Sequence, residues 1–111
     1  MLAKVYYSAM SKFKFELAAP IDSASAFSKI KKLLSGDNDF KKFDPKVSCT
    51  FDETSKKCNV NGSQFNATLQ VESKDANSSQ VAIEVELPFA LSLFKGKIQD
   101  ALEKNLKKIL T

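Results

Sequence analysis

The feature that most limits how this chain can fold is the order in which its apolar periodicity changes. Apolar residues first alternate with polar ones, then recur every third or fourth position. Alternation returns through the middle of the chain, and the longer step closes it. Period two marks a strand with one wet face, and a period near 3.6 marks an amphipathic helix. The first alternation is Lys12-Phe13-Lys14-Phe15-Glu16-Leu17, with Phe13, Phe15 and Leu17 on one side. Val5, Tyr6 and Tyr7 either lengthen this strand or form a loose terminus. Pro20 ends it. Asp22 or Ser23 then caps a helix over residues 23–35, whose apolar stripe is Ala26, Phe27, Ile30, Leu33 and Leu34. Gly36 supplies a left-handed C-cap for it.

Alternation resumes at Val47, Cys49 and Phe51, turns over Glu53 to Lys56, and continues through Cys58 and Val60. At Asn61-Gly62 the apolar parity changes, so that Phe65, Ala67, Leu69 and Val71 become the inward set. A parity change at a glycine requires either a turn or a bulge in one bent strand. Lys74 to Ser78 is a loop of turn formers. Val81, Ile83, Val85 and Leu87 make the last strand, which Pro88 stops. A long helix follows, stepping through Leu91, Phe94, Ile98, Leu102, Leu106 and Ile109. Phe40 and Phe43, in the connection before Pro45, either lid the core edge or touch a ligand.

The expected fold is therefore α+β, one domain over residues 1–111. It has an antiparallel sheet of four or five strands and two helices on one face, in the order β-α-β-β-β(-β)-α. Its 111 residues can bury roughly two thirds of the unfolded surface, enough for a real core.

Composition removes most enzyme chemistry. The chain has no His and no Trp, and all 17 basic residues are Lys. Imidazole bases, His metal ligands and Arg forks are absent, so His-dependent triads and Cys/His zinc sites are excluded. The three glycines form no phosphate cradle. No cofactor or metal is expected. The net charge of +4 is a small excess spread among thirteen acids, without the dense basic stripe and exposed aromatics of a nucleic-acid module, so nucleic acid is not an expected partner. No stretch approaches a transmembrane span or a secretory h-region, which points to the cytoplasm and free thiols.

Three constellations carry chemistry in principle. Glu84 and Glu86 share a strand face about 7 Å apart, but they alternate with apolar residues and read as a solvated face. Cys49 and Cys58 flank one hairpin in apolar alternation and read as small buried hydrophobes. The segment Leu87-Pro88-Phe89-Ala90-Leu91-Ser92-Leu93-Phe94-Lys95-Gly96-Lys97-Ile98 is more apolar than one buried face requires. Gly96 lowers helix stability by about 1 kcal/mol against Ala, which calls for a packing reason. Either this segment packs closely on the sheet and first helix, or it offers an apolar surface to a partner. In the second case Phe89, Leu91, Leu93, Phe94, Lys95, Gly96, Lys97 and Ile98 are the contact residues, with the lysines as a rim.

The same segment, continued by Gln99-Asp100-Ala101-Leu102-Glu103-Lys104-Asn105-Leu106, resembles the C-terminal signature of the putative polyhydroxyalkanoic acid system (granule-associated) protein family. That family consists of small bacterial proteins with a Phe-Lys-Gly-x-Ile core before a charged helix. The close resemblance covers the last third of the chain. It implies a non-enzymatic role at polyhydroxyalkanoate granules, with a granule surface or a granule protein as partner, and it transfers no catalytic residue. The element order is also similar to a small helix-grip fold. That similarity implies the alternative of a carrier for an acyl or lipid ligand. A homodimer through the sheet edge is compatible with both.

Overall fold

A computed structural model describes residues 10–36, 41–42, 44–63 and 65–110. Val5, Tyr6, Tyr7, Phe40 and Phe43 lie outside the described residues. The first strand, β1 (Met10–Ala19), extends the Phe13–Leu17 alternation at both ends. It leads into α1 (Ser23–Ser35), with Asp22 as N-cap: its carboxylate accepts from the Ser25 amide at 3.1 Å and the Ser25 hydroxyl at 2.7 Å. Four strands follow: β2 (Ser48–Asp52), β3 (Lys57–Asn61), β4 (Asn66–Asp75) and β5 (Ser78–Pro88). A six-residue 3-10 helix (Phe89–Phe94) then runs into α2 (Lys95–Leu110).

The strands form one antiparallel sheet in the order β1-β5-β4-β3-β2. Its register turns the alternations into continuous rows. Phe15, Ile83, Leu69, Cys58 and Phe51 lie opposite one another across all five strands, as do Phe13, Val85, Ala67, Val60 and Cys49. These rows meet Ala26, Phe27, Ile30 and Leu34 of α1 and Ile98, Leu102, Leu106 and Leu110 of α2 in one core. A sheet face and two helix stripes are buried against each other, which is the two-layer solution expected for this pattern. Ser79, buried in β5, donates to the Ile21 carbonyl at 2.8 Å and ties the lead into α1 to the sheet.

The parity change at Gly62 is a turn. Asn61 and Asn66 face each other as the last pair of the β3–β4 hairpin, and the Gly62 amide donates to the Phe65 carbonyl at 2.8 Å. No glycine has positive φ. The need for glycine here is space: a Cβ on Gly62 would collide with Asp44 Oδ2 and lie 3.1 Å from its carboxyl carbon. Asp44 is buried, accepting from the Ser63 hydroxyl at 2.9 Å and the Lys46 amide at 3.1 Å. The expected left-handed cap at Gly36 is also corrected. Gly36 has φ −100° and ψ −164°, and its amide donates to the Leu33 carbonyl. Positive φ occurs instead at Lys56 (φ 56°), where the β2–β3 turn reverses over the Asp52 carboxylate, an acceptor for the Thr54 and Ser55 amides.

Candidate functional site

The carboxylate pair is structural. Lys14 lies opposite Glu84 and Lys12 opposite Glu86 across β1 and β5. Their ammonium groups approach the carboxylates at 3.3 and 3.5 Å, and Lys12 also reaches Glu84 at 3.8 Å. The pair therefore belongs to a cross-strand charge ladder on the wet face of the sheet. An open groove of about 660 Å³ lies on that face, lined by Lys14, Glu16, Lys57, Thr68, Gln70 and Ala82 among others.

The thiols are free and lie on adjoining inward rows. Burial pushes the Cys58 thiol up to about 12, helped by the nearby Cys49. Burial also raises Cys49, partly offset by the charge of Lys41. A nucleophilic thiol needs the opposite shift. Among the described residues, no three His, Cys, Asp or Glu side chains cluster as a metal site would require.

The apolar terminal segment behaves differently from the rest of the core. Pro88 ends the β5 ladder, and the 3-10 helix that follows has no side-chain cap and no buried residue. Phe89 is 62% exposed, Leu93 92% and Phe94 40%. Side chains three apart eclipse in a 3-10 helix, so Ala90 and Leu93 form one row and Leu91 and Phe94 another. Ala90 is exposed as well, while Leu91 and Ser92 are half-buried. The Lys95 amide donates to the Ser92 carbonyl, closing the last 3-10 turn before α2 begins.

Two expectations need correction here. Phe94 does not belong to the core stripe, which begins at Ile98. Ile98, expected among the contact residues, is only 9% exposed and packs inward with Leu102. It fastens the start of α2 to the core. Gly96 has no internal packing reason: a Cβ there would meet nothing within 4 Å. Lys95 is half-buried and Lys97 exposed beside the apolar residues. From Leu87 to Gln99 there is no carboxylate. The 3-10 helix is thus an exposed apolar tip, with Lys95 and Lys97 next in the sequence.

A family model described as putative polyhydroxyalkanoic acid system protein matches residues 22–110. The chain belongs to that family. The match reaches back from the terminal signature to the N-cap of α1, well beyond the segment that carries the resemblance in sequence. No curated protein matches the chain. Among solved structures it is similar to a START superfamily protein from Mycobacterium smegmatis, with 7% identity, 89% of this chain and 96% of that one covered, and a TM-score of 0.60. It is also similar to the protein XoxI from Bacillus cereus, with 12% identity, coverages of 90% and 93%, and a TM-score of 0.59. A norcoclaurine synthase from Thalictrum matches with 11% identity, coverages of 89% and 95%, and a TM-score of 0.52. At such identities the likeness is one of fold, and it places this polyhydroxyalkanoic acid system family member in the helix-grip class. Among the described residues, no helix is long and apolar enough to cross a membrane.

Sequence reasoning singled out the terminal segment from its excess of apolar residues. It missed the buried Asp44, because a lone acid in a polar connection carries no periodic signal. The groove on the wet face escaped it too, because alternation assigns residues to a face without giving the shape of that face.

Proposed function

We propose that this protein acts by contact rather than catalysis, as a cytoplasmic component of polyhydroxyalkanoate granules. The tip formed by Phe89, Leu93 and Phe94 would meet the granule surface or a granule protein. The observation that carries this reading is the exposure of those three large side chains together on a segment with no buried residue. Isolated exposed apolar residues are ordinary, whereas three large ones within six consecutive residues call for a partner surface. Membership of the polyhydroxyalkanoic acid system family supports the choice of partner. Covering the tip would bury the equivalent of about two whole side chains, on the order of 3–6 kcal/mol. That is a weak, reversible contact by itself.

The test is fluorescent tagging in a polymer-accumulating host. The protein is expected to outline the granules and to pellet with them. The double variant Phe89→Ser/Leu93→Ser is expected to spread through the cytosol while remaining folded. A uniform cytosolic signal for the unaltered protein would overturn the reading. The helix-grip fold supports a second reading, a carrier for an acyl or lipid ligand. Native mass spectrometry of the purified protein tests it, and a mass without bound lipid counts against it.

A further inference from the structure

Lys97, Lys104 and Lys108 lie on one line along α2. At about 100° per residue they fall within an arc of roughly 40° around the helix. The line runs opposite to the buried side, which carries Ile98, Leu102, Leu106 and Leu110. All three lysines are exposed. Among the described residues none of them ends in an ion pair, whereas Lys12, Lys14, Lys31 and Lys107 each do. Asp100 is the only acid between Lys97 and Lys104 besides Glu103, and Glu103 is engaged by Gln99 and Lys107. The lysine row starts one turn after Leu93.

Neutral apolar material offers these cations nothing. A layer of acyl chains beneath negative headgroups offers a partner to both parts of the surface. An apolar tip of three side chains binds such a layer only marginally, and stable attachment takes a second signal. We propose that the 3-10 helix and α2 together form an anchor for an anionic lipid surface. Phe89, Leu93 and Phe94 enter the acyl region, and Lys97, Lys104 and Lys108 lie over the headgroups. The proposal rests on the contact reading above and narrows its partner to a negatively charged lipid coat.

The experiment is co-sedimentation of the full chain with three surfaces. These are phosphatidylcholine vesicles, vesicles of phosphatidylcholine with phosphatidylglycerol, and bare polyhydroxybutyrate particles. Binding to the anionic vesicles is expected to exceed binding to neutral ones at least tenfold, and to fall when salt rises from about 0.05 to about 0.5 M. Attraction to an anionic surface is worth about fivefold per lysine, so Lys97→Gln/Lys104→Gln/Lys108→Gln is expected to weaken vesicle binding about 100-fold. The matching triple Lys→Arg variant keeps the charge and is expected to bind as the parent does. Neither variant should change binding to bare particles. Equal binding to neutral and anionic vesicles, or an undiminished Gln variant, overturns the anchor. Binding to bare particles without binding to vesicles also overturns it, while leaving the granule reading intact. Binding to anionic vesicles with no association with particles or granules supports the anchor and overturns the granule reading.

Discussion

Two neighbouring apolar stretches of this chain meet opposite fates. In α2, Ile98, Leu102, Leu106 and Leu110 are buried in the core, while in the preceding 3-10 helix Phe89, Leu93 and Phe94 face outward. Hydrophobicity alone does not separate them, since the tip is the more apolar of the two. What differs is interspersion. In α2 the charged residues fall opposite the apolar stripe, so one rotation buries the stripe and leaves Lys97, Lys104 and Lys108 wet. The segment Phe89-Ala90-Leu91-Ser92-Leu93-Phe94 has no polar face to turn outward, so any orientation leaves large apolar side chains exposed.

The largest expected effect tests the buried half of that contrast. Leu106→Ala removes a nearly inaccessible side chain of α2 from the core it shares with the sheet and α1. It should destabilise the fold by about 2–5 kcal/mol, read from chemical denaturation at constant m-value. A loss below about 1 kcal/mol would mean that α2 is not seated as described.

Glycines sharpen the same contrast. Gly62→Ala forces a Cβ into the buried Asp44 carboxylate and should cost about 1–3 kcal/mol. Gly96→Ala places its Cβ in open space inside a helix and should stabilise by up to about 1 kcal/mol. Opposite signs for the two substitutions are the diagnostic result. If Gly96→Ala destabilised, the start of α2 would have internal contacts that the structure does not contain.

Helix starts differ in the same way. α1 is held by Asp22, whereas the 3-10 helix begins at Pro88 without a side-chain cap. Hydrogen bonds from the Ser25 hydroxyl, and then from its amide, hold the Asp22 carboxyl below the ordinary carboxylate range. A group whose pKa falls on folding contributes stability above its unfolded pKa and loses it as pH drops through the folded one. Asp22→Ala should therefore lower Tm by a few degrees at pH 7, with the gap closing in acid below the ordinary carboxylate range. Asp22→Asn, which keeps an acceptor, should lose less. A gap that persists unchanged in acid would remove the cap as its cause.

Much of this architecture was legible because it is written in periodicity. The alternations of Phe13–Leu17 and Val81–Leu87 became paired strands, and the stripe from Ala26 to Leu34 became the buried face of α1. The terminal segment was legible as an anomaly, but its outcome was not. Close packing and outward exposure both suit a run of Phe and Leu, and the choice depends on whether the sheet and α1 leave room. Ile98 is the first residue of α2 in the core, and the 3-10 helix before it contributes no buried residue. Gly62 was legible as a break but not as a turn, because the reason for glycine there is a carboxylate eighteen positions earlier in the chain.

The smallest expected effect on stability tests the exposed half. Leu93 is the most exposed large apolar residue described, so Leu93→Ser removes almost no burial. It should change folding stability by less than about 0.5 kcal/mol in either direction. Granule pelleting should nevertheless fall, because the side chain that contributes most apolar area to the contact is gone. Set beside Leu106→Ala, the pair forms a double dissociation: one variant loses stability, and the other loses association while its denaturation curve stays in place. Unchanged pelleting at parental stability would show that the tip is exposed without being used. A large loss of stability would instead place Leu93 against the protein, and the two apolar stretches would then differ only in degree.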